Sequence, residues 1–120
     1  MGEAPGGLLA YAADGTMVGI MASDARARFA TDDVTGGTAE EQAAAFATCI
    51  AYGGRYAVDG DTVIHTVETS LFPNWNGTEQ RRTFALSDDG QTLTLTSPPI
   101  VLGGTRRTQR LTWSRAGASV

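Results

Sequence analysis

Three Asp-Gly pairs, each between runs of β-forming residues, constrain the fold of this chain more than any other feature. They are Asp14-Gly15, Asp59-Gly60 and Asp89-Gly90. Asp-Gly in this context signals a tight hairpin, because both central residues of a type I′ turn have positive φ. The pattern predicts antiparallel strands near residues 8–13, 16–23, 52–58, 62–70, 79–87, 91–97 and 106–115. A meander of this many short strands is best closed as a barrel.

One helix interrupts the predicted strands. The segment Thr38 to Glu41 has the pattern of a capping box, in which the Thr38 hydroxyl accepts from the Glu41 amide and the Glu41 carboxylate reaches back. The Ala-rich run Ala39 to Ile50 follows, and Gly53-Gly54 is expected to end the helix. The fold class predicted from the sequence is therefore all-β, an antiparallel meander closed into a barrel with one short α-helix.

The turns also predict which residues face one another. A two-residue turn at Asp59-Gly60 sets Tyr56 opposite Val63 and Gly54 opposite His65, and the same geometry at Asp89-Gly90 sets Leu86 opposite Leu93 and Phe84 opposite Leu95. Symmetric pairing across the loop 71–78 sets His65 opposite Phe84 and, on the other face, Glu68 opposite Arg81. One inward face results: Tyr52, Gly54, Tyr56, Val58, Val63, His65, Val67, Thr69, Gln80, Arg82, Phe84, Leu86, Leu93 and Leu95, joined by Leu111 and Trp113 from the last strand.

Composition narrows the class of protein. The chain has 120 residues and a net charge of −4, which predicts one domain over residues 1–120 and leaves no basic stripe for nucleic acid. Cys49, the single cysteine, lies in an apolar run and is interpreted as a buried structural thiol. One Cys and one His without ligand spacing predict no metal site. No apolar stretch approaches a membrane span and no signal peptide is recognisable, so a cytoplasmic location is expected.

Several segments together resemble a known family. The stretches GLLAYAADGTM, AYGGRYAVDGDTVIH, SLFPNWNGTEQRRTF, QTLTLTSPP and RLTWSR occur in the order seen in the small bacterial lipocalin-like domain family, over Gly7 to Arg115. The resemblance implies a calycin-type barrel with a central cavity and no fixed activity; some lipocalin-like barrels act as cyclases in natural-product pathways. Such domains open with a Gly-x-Trp strand that this chain lacks, so a barrel one strand short, with an exposed edge, is expected.

The first hairpin is predicted to be apolar on both faces. Leu9, Tyr11, Val18 and Ile20 are placed on one face, and Leu8, Ala10, Met17 and Met21 on the other. Both faces then need cover, by the helix on one side or by a second subunit. A homodimer is the expected assembly.

The predicted interior combines polar groups with an apolar surround. The ligand-binding candidates are Tyr11, Tyr52, Tyr56, His65, Gln80, Arg82, Phe84, Leu95 and Trp113, and the inward list contains no Asp or Glu. A buried Arg without a carboxylate is costly unless water or an anion meets it, which suggests a ligand with a carboxylate, enolate or carbonyl near Arg82. Alternatively, Arg82 is pinned to backbone carbonyls. Pro73-Asn74-Trp75 is expected to cap one end of the barrel.

His65 has three interpretations. It is a core histidine hydrogen-bonded to a tyrosine, a donor that orients a ligand, or a general acid or base; the last needs a partner that fixes its tautomer and pKa. His65 and Arg82 are the candidate catalytic residues.

Three functions follow. The first is a barrel that binds a small, largely apolar molecule with a polar or anionic end. The second is a cofactor-free cyclase or isomerase that uses the same cavity. The third is a filled barrel with an interaction role. No cofactor, nucleic-acid partner or membrane partner is predicted.

Overall fold

The computed structural model describes residues 5–116 and shows a seven-stranded antiparallel meander rolled into a nearly closed barrel. The sheet order follows the chain, with each strand of the sheet paired to the next. The strands are β1 (Gly6–Tyr11), β2 (Thr16–Ala22), β3 (Cys49–Asp59), β4 (Thr62–Ser70), β5 (Glu79–Leu86), β6 (Thr92–Thr96) and β9 (Arg110–Ser114). A separate hairpin, β7 (Ile100–Leu102) with β8 (Thr105–Arg107), lies between β6 and β9 in sequence. The predicted all-β barrel with one helix is confirmed.

The helix α1 (Ala39–Ala47) begins with the predicted capping box. The Glu41 amide donates to Thr38 Oγ1 at 3.1 Å, and the Thr38 amide donates to Glu41 Oε1 at 2.8 Å. The helix ends earlier than predicted, because Cys49 and Ile50 already pair with β2 and the Thr48 hydroxyl donates to the Ala44 carbonyl. Gly53 and Gly54 lie inside β3 and do not end the helix.

All three Asp-Gly glycines have positive φ, but they form different turns. At the first, the Ala12 amide donates to the Thr16 carbonyl and the Gly15 amide donates to the Ala12 carbonyl, which leaves a three-residue loop with Gly15 in the left-handed region. Tyr11 therefore pairs with Met17 and Leu8 with Ile20. The predicted faces of this hairpin were wrong, because a register one residue different exchanges the faces of one strand relative to the other.

The observed register changes which residues form the inner face of the first hairpin. Leu9, Tyr11, Met17, Gly19 and Met21 point into the barrel, and Met17 and Met21 are buried. Leu8, Ala10, Val18 and Ile20 point outward, and three of them stay largely exposed: Leu8 at 74%, Val18 at 56% and Ile20 at 43%.

The central hairpins keep the predicted inward face but not the predicted partners. Asp59 pairs with Thr62, so Gly60 and Asp61 form the loop and Tyr56 faces His65 instead of Val63. Between β4 and β5, Val63 faces Arg82 and His65 faces Gln80, a shift of four residues from the predicted pairing. Even-numbered shifts move a strand along its neighbour without turning its side chains over. The Leu86–Leu93 and Phe84–Leu95 pairs are confirmed.

A β-bulge interrupts β4 near its end. Gly54 pairs with Val67 but Gly53 pairs with Thr69, so Glu68 is an extra residue on β4. After the bulge, Ser70 pairs with Tyr52 and Thr69 is exposed, which corrects the predicted inward position of Thr69. The predicted Glu68–Arg81 pair is also wrong, since Arg81 faces Ile64 and its guanidinium contacts Glu79 at 3.2 Å.

Few side chains fill the barrel. Among the described residues, the buried apolar side chains are Met17, Met21, Val63, Val67 and Leu95. Other inward residues, such as Phe84, Leu93 and Trp113, remain half-buried because they face open space. No helix in the described part of the chain is long and apolar enough to cross a membrane.

Candidate functional site

The interior contains three neighbouring cavities along the barrel axis. The turn-end cavity, near the Asp59-Gly60 and Asp89-Gly90 turns, has a volume of about 580 Å³. The helix-end cavity, between α1, the loop at Phe72 and the β7–β8 hairpin, has a volume of about 960 Å³. Between them lies a central cavity of about 60 Å³. The central cavity shares lining residues with each of the other two, so together they span the interior.

His65 lies at the centre and is 1% exposed. Its Nε2 atom is 2.6 Å from the Tyr11 hydroxyl, and its Nδ1 atom is 2.6 Å from the Tyr52 hydroxyl. A neutral imidazole has one N–H and one bare nitrogen, so one tyrosine donates to the ring and the other accepts from it. Burial, reinforced by the nearby Arg82 guanidinium, lowers the pKa of His65 to about 4. The imidazole is therefore neutral at physiological pH.

The two tyrosines are neutral as well. Burial raises the pKa of Tyr11, with Tyr52 adding to the effect, and burial also raises the pKa of Tyr52. Tyr11 packs edge-on against Tyr56, with ring centroids 4.8 Å apart, and the Tyr56 hydroxyl donates to the Ala12 carbonyl at 2.9 Å. These contacts hold the Tyr11–His65–Tyr52 chain in one arrangement.

Arg82 is buried beside this chain of rings, at 7% exposure. Its Nη1 atom donates to the Arg81 carbonyl at 2.9 Å, which is the backbone contact that the sequence offered as an alternative role. Burial lowers the pKa of Arg82, opposed by Tyr52 and Tyr11. Among the described residues, no Asp or Glu lines any of the three cavities. The interior is therefore electropositive in a chain whose net charge is −4.

The turn-end cavity is mainly apolar. Its walls include Tyr11, Tyr56, Phe84, Leu93, Leu95 and Trp113. The Trp113 indole Nε1 is buried without a hydrogen-bond partner among the described residues. A buried N–H without an acceptor is costly, so this donor favours a ligand that presents an oxygen.

The structure separates the nine predicted ligand-binding residues. Tyr11, Tyr56, Phe84, Leu95 and Trp113 line the turn-end cavity, whereas His65, Arg82 and Tyr52 line the central cavity, as do Leu95 and Trp113. Gln80 lies opposite His65, and its amide donates to the Thr78 hydroxyl. Trp75, predicted as a cap, forms part of a 3-10 helix (Pro73–Trp75) and lines both the helix-end and central cavities.

The β7–β8 hairpin was missed by the sequence reasoning, although it supplies much of the helix-end cavity. Its signal was the Gly103-Gly104 pair between Ile-Val-Leu and Thr-Arg-Arg. Both glycines have positive φ, and Leu102 pairs with Thr105 across them, as a type I′ turn requires. Cys49, interpreted as a buried thiol, is half-buried and lines the same cavity. Within residues 5–116, no three His, Cys, Asp or Glu side chains are placed to hold a metal ion.

Comparison with known proteins identifies the family. The profile of the lipocalin-like domain matches residues 1–116. The chain belongs to the lipocalin-like domain family. A curated relative from Aspergillus oryzae, the 4'-hydroxy-3'-methoxypropiophenone carrier protein ppsC, is 39% identical over 87 residues, which cover 66% of this chain and 78% of the relative. This lipocalin-like barrel is thus similar to a protein named for carrying an aryl ketone.

Proposed function

We propose that this lipocalin-like barrel binds and carries a small, largely apolar aromatic molecule with an oxygen-bearing polar or anionic end. The observation that supports this most directly is the turn-end cavity, an apolar space of about 580 Å³ that ends at the Tyr11–His65–Tyr52 chain. Cavities of this size and lining are typical of small-molecule sites. The relative's name gives a ligand of matching chemistry, a phenolic ketone.

In this proposal each part of the ligand has a defined partner. The ring packs against Phe84, Leu93 and Trp113, which are half-buried and line the turn-end cavity. The ligand's oxygen accepts from the Trp113 Nε1, the donor without a partner among the described residues, or from the Tyr11 hydroxyl, whose proton is available when Tyr11 accepts its other bond from a His65 Nε2–H. The electropositive interior favours a carbonyl, phenolate or carboxylate over an ammonium group.

The enzyme alternative, a cyclase or isomerase, requires a group that exchanges a proton near neutral pH. His65 has a pKa of about 4 and both ring nitrogens are already bonded to tyrosines, so it is a weak base in this arrangement. Among the described residues, no carboxylate lines the cavities to assist it. These features favour binding over turnover.

The test uses 4'-hydroxy-3'-methoxypropiophenone as the probe and isothermal titration calorimetry as the measurement. We expect binding to the wild-type protein, weakened tenfold or more by Phe84→Ala through lost apolar contact, and about fivefold by Trp113→Phe through the loss of one hydrogen bond. Phe46→Ala is the control, because Phe46 lies at the helix-end cavity. Equal affinity in the wild type and Phe84→Ala would reject the site, and chemical conversion of the probe would favour the enzyme.

A further inference from the structure

The helix-end cavity is distinct from the space assigned to the ligand above. It lies at the opposite end of the barrel, where β3 begins and where β7 and β8 fold over the opening. Ile50, Trp75 and Leu111 line both this cavity and the central cavity. The buried His65 and Arg82 line the central cavity and neither of the two larger ones. Each end of the barrel therefore has its own chamber.

An aromatic wall with exposed edges lines this cavity. Trp75 contacts the Tyr52 ring and the Phe72 ring edge-on, with centroids 5.7 Å apart in each case. Phe72 is 41% exposed and Phe46 is 50% exposed. Exposed apolar side chains gathered around one concave space are characteristic of a binding site. The wall is thus suited to the apolar body of a ligand.

The charged groups at this cavity are all positive. Arg107 and Arg110 line it, and no Asp or Glu does so within the described residues. Among residues 5–116, the one ion pair joins Arg81 to Glu79. Neither Arg107 nor Arg110 is therefore neutralised by a carboxylate of the described residues. Arginine pairs with carboxylates through two parallel N–H donors. Two such groups beside an apolar wall select for a molecule that is both apolar and anionic.

We propose that the helix-end cavity is a second ligand site, which binds a free carboxylate amphiphile. Its apolar body packs against Phe72 and Trp75, and its carboxylate pairs with Arg107 and Arg110. The site is independent of the turn-end site, because it uses other walls and other charged groups. The barrel then holds two chemically different molecules, one at each end.

The two tryptophans of the chain distinguish the two larger cavities. Trp113 lines the turn-end cavity and Trp75 the helix-end cavity, and both also line the central cavity between them. We would record the indole N–H cross-peaks of the ¹⁵N-labelled protein and assign them with Trp75→Phe and Trp113→Phe. The probes are 1-naphthylacetate and its amide, 1-naphthylacetamide, which differ in charge and hardly in shape.

We expect 1-naphthylacetate to shift the Trp75 cross-peak and to bind at least fivefold more tightly than the amide. The double variant Arg107→Gln/Arg110→Gln should lose this preference while binding the amide as the wild type does. Arg115→Gln is the control, since Arg115 lines the turn-end cavity and should leave the Trp75 response unchanged. Both arginines of the double variant are exposed, so the fold should survive, and circular dichroism would confirm this.

Four results would overturn the second site. Three of them are a shift of the Trp113 cross-peak larger than that of Trp75, equal affinity for acid and amide, and a preference for the acid that survives in the double variant. Absence of any response to either probe would also overturn it. In the proposed function the aryl ketone binds beside Trp113. That proposal is therefore tested with a different probe and a different cross-peak from the second site.

Discussion

His65 shows how burial sets the chemistry of one residue. Its imidazole lies among two tyrosines and an arginine, and the interior offers no carboxylate within the described residues. Protonation would place a second positive charge beside Arg82 in a poorly solvated space. The neutral ring instead uses both nitrogens in hydrogen bonds to tyrosines, which fixes the wall between the turn-end and central cavities.

The depressed pKa predicts how stability depends on pH. The unfolded chain has a histidine with a pKa near 6.5, whereas the folded pKa is about 4. Between these values only the unfolded state binds the proton, so the His65 contribution is complete above pH 6.5 and is lost as the pH falls toward 4. We expect the free energy of unfolding to decrease by about 2 kcal/mol between pH 7 and pH 5.

The matched variant is His65→Gln, which keeps hydrogen-bonding capacity without a titratable ring. Urea unfolding at pH 7 and pH 5 should show little change for this variant. The carboxylates with lowered pKa, at Asp14, Asp33, Glu41 and Asp89, titrate below this interval and do not mimic the effect. An equal pH dependence in both proteins would show that His65 titrates normally.

At the scale of elements, the sequence predicted the side of the sheet on which a side chain lies better than it predicted which residues pair across neighbouring strands. Strand alternation alone placed His65, Arg82 and Phe84 inside, and the structure agrees because the central registers differ from prediction by even numbers of residues. The partners depended on loop lengths, and an Asp-Gly pair supports loops of two, three or four residues. The first hairpin uses three, and its faces were therefore misassigned.

The candidate site was only partly predictable for the same reason. Residue types and alternation indicated a polar cluster inside an apolar barrel. They did not indicate that Tyr11 reaches His65, because that contact spans 54 residues and depends on how the sheet curls. The division into three cavities depends on side-chain volumes in three dimensions, and the pattern of a single strand contains no such information.

The bulge on β4 predicts a steric requirement at Gly54. A Cβ at this position would lie 2.0 Å from the Thr66 carbonyl oxygen and 2.9 Å from the Glu68 amide nitrogen, so the backbone would have to move. We expect Gly54→Ala to lower the free energy of unfolding by about 2 kcal/mol or more, measured by urea denaturation. Gly6→Ala is the control, because a Cβ there meets nothing within 4 Å. Equal stability of the two variants would contradict the observed packing at the bulge.

At the β3–β4 turn, glycine is required for its backbone conformation and not for lack of space. Gly60 has a φ of +63°, and a Cβ there would meet no atom within 4 Å. A β-branched residue resists this backbone region, so Gly60→Val should cost about 1–3 kcal/mol through strain alone. The thermal midpoint should fall accordingly, whereas Ala57→Val, at an exposed strand position, should leave it nearly unchanged. An unaltered midpoint for Gly60→Val would show that the turn adopts another conformation.

At the scale of the whole molecule, an odd number of strands explains why the barrel is only nearly closed. Successive strands of the seven-stranded meander alternate in direction, so β1 and β9 run the same way. These two strands therefore cannot pair in the antiparallel way in which all the adjacent strands of the sheet pair. In the described residues, each has one paired neighbour and one free edge. Residues of both strands line the turn-end cavity, which places this seam beside the proposed ligand.

The free edge of β1 also adjoins the outward patch of Leu8, Val18 and Ile20, which is the surface through which we expect a homodimer to form. The strand Gly6–Tyr11 contains no charge and no proline, so it has none of the features that usually protect an edge from pairing. Next to the patch, Val18 pairs with Gly53 and Ile20 with Ala51, and these small residues leave the face flat. Two copies related by a two-fold axis would bring both patches together.

We therefore expect the protein to be a dimer by size-exclusion chromatography with light scattering. Leu8→Arg should yield monomers, because it places a longer, charged side chain at the centre of the apolar contact. Val34→Arg is the matched control: Val34 is 98% exposed in the loop before α1 and should not affect assembly. Circular dichroism should show the same fold in all three proteins, since neither side chain packs in the interior. A monomeric wild type, or a Leu8→Arg variant that still dimerises, would mean that this patch is not where two copies meet.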